Sequence, residues 1–359
     1  MVNKIAIVGT VGIPASYGGF ETLAENLVRF SSKRGTSSKL LVYCSAKSYS
    51  VRPVDYLGAE LRYIPINANG VWSIFYDIFS LLSAVRHGCD VVLVLGVSGA
   101  IIFPLIRALT SVRIVTNVDG IEWRRDKWRG LARWFLRFSE KIAVTYSHSV
   151  IADNGGIANY IENEYGSVCH VIAYGGDHAL AADERPYDDI TLEKYALAVC
   201  RIEPENNVEM ILSAFSRIPN LPLVFVGNWN NSEFGCRMRE EYGGFGHLYL
   251  VDPIYDVGVL KALRAKAFLY VHGHSAGGTN PSLVEVMHFS IPVFAYDCVF
   301  NRFSTEDEAF FFKGADDLVD SIQLLDEGVA RKVGSAMGRI AREKYTWDAI
   351  GEDYWTLIS

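Results

Sequence analysis

The chain has 359 residues, half of them hydrophobic and 21% charged, which excludes an intrinsically disordered protein and is more than one ordinary core needs, so two domains are expected. The net charge of −7 conceals an asymmetry: residues 1–180 carry 18 Lys+Arg against 14 Asp+Glu, a balance of +4, and the rest carry 16 against 27, a balance of −11. A mildly basic half joined to an acidic one points to an anionic partner or membrane surface facing the first half, and argues against a protein that coats nucleic acid.

The chain enters a strand at once, Lys4-Ile-Ala-Ile-Val-Gly9, without a signal-peptide pattern, so a cytoplasmic location is expected. A helix is predicted over Glu21–Phe30. Further strands are predicted at Lys39–Cys44, Leu61–Ile64, Val91–Leu95, Arg113–Asn117, Lys141–Thr145, Ser149–Ala152 and His170–Ile172. The apolar stretch from Val91 to Ile106 is broken by Gly96, Ser98, Gly99 and Pro104 and is shorter than the roughly 20 residues of a membrane span. It reads as a buried strand, a turn and a helix.

After Tyr174-Gly-Gly-Asp177 and a polar stretch through Asp189, taken as the hinge, the pattern restarts. Strands are predicted at Tyr195–Cys200, Leu223–Val226, Leu248–Leu250, Ala267–Val271, Pro292–Ala295 and Ala309–Phe311. This alternation is that of α/β domains with parallel sheets. The expected organisation is a first domain at 1–175, a second at 190–342 and an amphipathic helix within 343–359. Two successive Rossmann-like units facing a central cleft, with the last helix crossing back to the first domain, make up the GT-B architecture.

The cysteines (Cys44, Cys89, Cys169, Cys200, Cys236, Cys298) form no Cys-x-x-Cys pair and have no histidine at zinc spacing, so reduced, mostly buried thiols are expected. His272 and His274 flank Gly273 without a third ligand nearby, and no metal or other cofactor is expected.

The most informative stretch is Tyr270-Val-His-Gly-His-Ser-Ala-Gly-Gly-Thr-Asn-Pro-Ser-Leu-Val-Glu-Val-Met287. A strand ends, a Gly-rich turn follows, and Asn280-Pro281 opens a helix bearing Glu285. Glycines let backbone approach a ligand, proline suits a first helical turn, and the free amides at a helix start attract an anion. Glu285, about one turn further in, is placed to accept hydrogen bonds from ribose hydroxyls. An ordinary capped βα turn would use similar residues, but the complete string with its glutamate favours the binding site.

In the first half, Asp119-Gly-Ile-Glu-Trp123 follows a strand, and a carboxylate there could orient or deprotonate an acceptor hydroxyl; the alternative is a helix-capping aspartate. Asp119, Glu122 and Trp123 are the acceptor-side candidates. Directly after them, Trp123 to Phe138 carries six basic residues, three tryptophans and two phenylalanines, with Asp126 its one acid. Arg124, Arg125, Trp128, Arg129, Arg133 and Trp134 would suit a helix lying on an anionic membrane, or else a solvated helix whose aromatic face is core.

Four segments resemble glycosyltransferase family 4, retaining GT-B enzymes, and within it the bacterial polysaccharide β-1,4-rhamnosyltransferase-like group. They are Gly12-Ile-Pro-Ala-Ser-Tyr-Gly-Gly-Phe-Glu21, Val118-Asp-Gly-Ile-Glu-Trp123, Arg201-Ile-Glu-Pro-Glu-Asn-Asn207 and Gly277-Gly-Thr-Asn-Pro-Ser-Leu-Val-Glu285. The resemblance spans nearly the whole chain. It implies that Arg201 contacts the donor diphosphate, that Gly18 and Gly19 face the phosphates from the opposite domain, and that Asn228 and Ile254 stand where nucleobase and ribose are held. The turn Gly277, Gly278, Thr279, Asn280 and Ser282 would hold the leaving diphosphate, with Arg201, Glu285 and Asp119 as the catalytic candidates.

Two positions depart from the family pattern: Asn206 stands where a lysine is common, and Gly277 where the first acid of an acid-x7-acid motif belongs. Arg302 is the candidate for the missing positive charge. The resemblance implies retaining transfer of rhamnose from a deoxythymidine diphosphate donor to a lipid-linked oligosaccharide in surface polysaccharide synthesis, at the inner face of the plasma membrane. The alternatives are a transferase using another uridine or guanosine diphosphate sugar, a nucleotide-sugar epimerase on the same architecture, and a non-catalytic nucleotide-sugar or lipid-binding protein.

Overall fold

Two parallel sheets organise the chain, and their central strands are apolar on both faces because helices cover both sides. The computed structural model describes residues 3–15, 18–118, 120–121, 123, 130–187 and 190–359. The chain divides into one unit of Met1–Tyr174 with Trp347–Ser359 and another of Gly175–Thr346.

In the first unit β1 (Lys4–Val8) leads through α1 (Gly19–Arg34) to β2 (Lys39–Ser45), followed by the short β3 (Asp55–Tyr56) and β4 (Ala59–Ile64). Then come α2 (Trp72–Arg86), β5 (Val91–Leu95), α3 (Phe103–Leu109), β6 (Arg113–Val118), α4 (Gly130–Tyr146), β7 (Ser149–Ala152), α5 (Gly155–Tyr165) and β8 (His170–Val171). Among the described residues the strand order is β3-β4-β2-β1-β5-β6-β7-β8, parallel except for the β3–β4 pair.

Side chains alternate between the two faces of a sheet. On one face Ala6, Val8, Val92, Val94 and Ile114 pack under Leu81 and Ala84 of α2, Phe103 and Ile106 of α3, and Ala143 of α4. These three helices therefore lie side by side on that face, as right-handed crossovers leading from β4 to β5, β6 and β7 require.

The segment Lys141–Thr145, expected as a strand, is instead the end of α4. Its apolar residues complete a helical stripe, with Leu136, Ser139, Glu140, Ala143 and Val144 buried at spacings of three and four. The antiparallel β3 was not expected; two residues carry no readable periodicity.

The second unit repeats the plan with β9 (Ala196–Val199), α6 (Val208–Phe215), β10 (Leu223–Val226), α7 (Glu233–Tyr242), β11 (Leu248–Val251), α8 (Val257–Lys266) and β12 (Leu269–His272). It continues with α9 (Pro281–Met287), β13 (Val293–Tyr296), α10 (Val299–Ser304), β14 (Phe310–Phe312), α11 (Ala315–Gln323) and α12 (Glu327–Lys344). All its strand pairs are parallel, in the order β11-β10-β9-β12-β13-β14. Strand succession reverses between β9 and β12, and ligands of open α/β sheets are held outside the carboxyl ends of the strands at such a point. Phe215, Phe225, Trp229, Phe294 and Phe312 fill the core that fixes this edge.

The last helix, α13 (Trp347–Ile358), belongs to the first unit. Gly351 lets it sit against the Phe30 ring of α1, Trp355 lies 5.7 Å from the same ring, and Lys33 pairs with Asp348 at 2.7 Å. Tyr354 accepts a hydrogen bond of 2.5 Å from Asn117 Nδ2 at the end of β6. Of the six free cysteines only Cys44 and Cys89 are fully buried and Cys236 is exposed, which corrects the expectation that most are buried.

Candidate active site

The loop after β9 and the turn after β12 meet at the reversal point of the second sheet. Asn206 is buried in the first loop; its Nδ2 donates to the Arg201 carbonyl at 2.7 Å, leaving Oδ1 as an acceptor 2.5 Å from His274 Nδ1. The His274 proton must then sit on Nδ1. Asn207, in the left-handed region at φ 50°, donates through Nδ2 to the Gly273 carbonyl at 2.8 Å. Ser275 donates to the Glu205 carbonyl through both its amide (3.1 Å) and its hydroxyl (2.7 Å). Three residues of one loop, Glu205, Asn206 and Asn207, are thus tied to three of the other by hydrogen bonds.

Arg201 is 42% exposed and meets Glu203 only at 3.8 Å, which leaves its guanidinium available to an incoming anion. Asn206 cannot substitute for the family's lysine as a charge; it serves as a brace for the loop carrying Arg201. Gly277 sits at φ 113°, a conformation that residues with a Cβ rarely adopt, so this turn has no place for the acid of the family pattern. Thr279 beside it is buried.

Asn280 caps α9, its Oδ1 accepting from the Ser282 amide at 3.0 Å and the Ser282 hydroxyl at 2.8 Å. The Ser282 amide is therefore already satisfied by the cap. Tyr270 donates to the Val199 carbonyl and to Ser282 Oγ, both at 3.2 Å, tying the cap to the sheet.

Glu285 lies beneath this turn, its side chain 15% exposed. One carboxylate oxygen pairs with Arg264, from the last turn of α8, and the other lies 3.2 Å from His178 Nε2. Burial would raise its pKa, yet the Arg264 charge and the His178 contact more than offset this and hold the carboxyl below its ordinary value. Neither Arg264 nor His178 was singled out from the sequence. Arg264 looks like an ordinary helix C-terminal cation, and His178 lies within the hinge segment; only the fold brings them to Glu285. His272, buried at the end of β12, has a pKa pushed well below the usual histidine range by burial and then by His274.

The remaining donor-side candidates are placed as follows. Asn228 accepts the Ile202 amide at 2.7 Å, linking the end of β10 to the Arg201 loop. Ile254 is half-buried between β11 and α8. Arg302 on α10 is held between Asp297 at 2.6 Å and Asp307 at 2.7 Å and lies over the Phe311 ring. Two carboxylates already surround it, so it brings no net positive charge to the turn. Gly278 adjoins Gly277 within the turn.

In the first unit Gly18 stands at φ 137° just before α1, and a Cβ there would run into the Glu21 carboxylate. Gly19 opens the helix with free space around its Cα. Glu21 accepts the Val11 amide at 2.9 Å and Glu25 the Ala15 amide at 2.6 Å, so two helix glutamates hold the preceding loop.

Trp123 donates through Nε1 to both Glu140 and the Tyr160 hydroxyl at 3.3 Å, and Arg133 and Arg137 lie over its ring at 5.4 and 5.2 Å. The buried Glu140 also accepts from Tyr160 at 2.7 Å and Tyr165 at 2.6 Å. Trp134 is exposed and stacks on Phe138 at 5.4 Å. Asp119, Glu122, Arg124, Arg125, Trp128 and Arg129 lie outside the described residues.

Residues 184–342 match the family Glycosyl transferases group 1, and residues 2–177 match a family described as a domain of unknown function, DUF1972. No curated protein matches the sequence. Among solved structures, the chain is similar to sucrose-phosphate synthase from Thermosynechococcus elongatus, with TM-score 0.79 and 16% identity over 99% of this chain and 98% of that one. A glycosyltransferase from Rickettsia africae gives TM-score 0.75 and 13% identity over 99% and 97%. HepE from Anabaena, solved with UDP-glucose, gives 0.72 and 14% over 99% of both chains. The fold is that of GT-B glycosyltransferases, and the family match with this fold supports a nucleotide-sugar glycosyltransferase.

Proposed function

We propose that the protein is a retaining glycosyltransferase whose second unit holds a nucleoside diphosphate sugar at the two braced loops described above. The observation that carries this reading is Glu285, fixed between Arg264 and His178 on the helix that follows the Gly277–Asn280 turn. A carboxylate held ionised and immobile there accepts hydrogen bonds from ribose hydroxyls without reorganising. Arg201 meets the diphosphate, whose charge grows as the bond to the sugar breaks. Backbone amides of Gly277 and Gly278 complete the anion cradle. An acceptor hydroxyl then attacks from the face that the diphosphate leaves, with Asp119 orienting it or taking its proton.

For the donor we propose deoxythymidine diphosphate–rhamnose and for the acceptor a lipid-linked oligosaccharide, on the strength of the four resembling segments. The UDP and UDP-glucose complexes of HepE make uridine the competing base. The Arg201–Asn207 and Gly277–Glu285 segments support a catalytic reading over a purely binding one, since both the exposed arginine and the ionised glutamate are intact.

A thermal-shift panel of deoxythymidine, uridine and guanosine diphosphates, each with and without magnesium, tests the proposal, because a ligand that binds only the native state raises the melting temperature. A shift with deoxythymidine diphosphate supports the donor assignment. A shift with uridine or guanosine diphosphate alone replaces the base, and no shift with any of the three rejects the donor site.

A further inference from the structure

The side-by-side helices α2, α3 and α4 turn their inner faces to the first sheet, and their outer faces are unusually apolar. On α2 the exposed residues Trp72, Phe75, Phe79 and Leu82 recur at three- and four-residue spacing, one helical stripe beside the buried stripe of Tyr76, Ser80, Leu81 and Ala84. On α3 Leu105 and Leu109 are exposed one turn apart, and on α4 Leu131, Trp134 and Phe138 are exposed at three- and four-residue spacing, the last two beside Glu164 and Tyr165 of α5. Trp72 is 62% exposed, Trp134 64% and Leu131 86%. Soluble surfaces scatter such residues singly; stripes of them on three helices that cover one face of a sheet mark a docking surface.

The charges of these helices identify what docks. The exposed charged residues are Arg86 on α2, Arg107 on α3, and Arg133, Arg137 and Lys141 on α4, all cations. The two acids on the same helices, Asp77 and Glu140, are both buried. Glu164 of the adjoining α5 is engaged by Arg137 at 2.5 Å. A second copy of this face would set cation against cation. A bilayer with anionic headgroups matches both features, taking tryptophan and phenylalanine rings at its boundary and arginine and lysine at its charged surface. Among the described residues no helix is long and apolar enough to cross a membrane.

We infer that the outer face of α2, α3 and α4 is a peripheral docking surface for an anionic lipid bilayer. The inference rests on the lipid-linked acceptor of the proposed function and deepens it, by naming the surface that brings the first unit to the lipid. Nucleotide binding by the second unit is measured separately, so the two readings can fail independently.

The experiment is flotation of the full chain with vesicles of phosphatidylcholine alone or of equal parts phosphatidylcholine and phosphatidylglycerol. Each protein is also titrated with the nucleoside diphosphate that shifts the wild-type melting temperature. Wild type should float with the anionic vesicles, much less with the neutral ones, and less as salt rises. Phe75→Ser with Phe79→Ser should reduce flotation about tenfold or more. Arg86→Gln with Lys141→Gln should also reduce it, by roughly fivefold per removed cation. Both double variants should keep the wild-type nucleotide shift, which establishes that they are folded. Absence of flotation, or flotation unchanged in both variants, overturns the inference. Self-association of wild type that the phenylalanine variant abolishes, without vesicle binding, overturns it in favour of contact between copies.

Discussion

Arg264→Leu removes the countercharge of Glu285 without touching the Gly-rich turn. The Arg264 side chain is 5% exposed and that of Glu285 15%, so both charges are largely out of water. Deleting one member of such a pair strands the other, at a cost of about 3–5 kcal/mol. Leucine refills part of the vacated volume, so most of that loss reports charge rather than cavity. Glu285→Gln keeps the shape but leaves the Arg264 guanidinium facing a neutral amide, and a loss of similar size is expected.

Because the two changes remove one shared interaction, the double variant should cost less than the sum of the singles, by about 0.5–3 kcal/mol. Urea titrations of the four proteins at neutral pH give the cycle. The pH profile is a second reading. The folded Glu285 carboxyl lies below its ordinary 4.5, so its stabilisation is present above the unfolded value and is lost as pH falls through the folded one. Wild type should therefore lose more stability than Glu285→Gln as the solution is acidified below 4.5. Additive single costs, or an Arg264→Leu cost below about 1 kcal/mol, would refute a coupled, desolvated pair, because only exposed pairs are worth so little.

Arg201→Ala should leave the melting temperature nearly unchanged, given its exposure, while weakening nucleoside diphosphate binding by roughly tenfold or more; calorimetric titration against wild type reads both. Asn206→Lys, which restores the family residue, should lower the melting temperature and gain no diphosphate affinity, since a lysine there loses the bonds to the Arg201 carbonyl and His274; tighter binding would show that the asparagine is a lost charge. Burial pushes the Asp77 carboxyl up to about 8, so the folded chain holds a proton that the unfolded chain releases near 3.8. Wild type should accordingly lose stability as pH rises between those values, and Asp77→Asn should flatten that slope in urea titrations across the range.

Much of the fold could be read from the sequence because each buried strand, such as Val91–Leu95 or Leu223–Val226, is an uninterrupted apolar run bounded by turn residues. The reading failed where a short apolar run belonged to a longer helical period, at Lys141–Thr145, and where two residues paired across a tight turn, at β3.

The site divides in the same way. The Gly277–Ser282 turn and Glu285 are contiguous, so their spacing carries the chemistry. The groups that fix Glu285 come from α8 and from within the hinge, and only the fold brings them together.

Asn206 and Gly277 look from the sequence like two independent losses of charged groups. In the structure each is required by its own loop: the asparagine by its bonds to the Arg201 carbonyl and His274, the glycine by its backbone angle. Restoring either family residue alone would break a loop before it supplied a charge. In the proposed function, anion binding therefore falls to Arg201 and to backbone amides, on loops held together by hydrogen bonds.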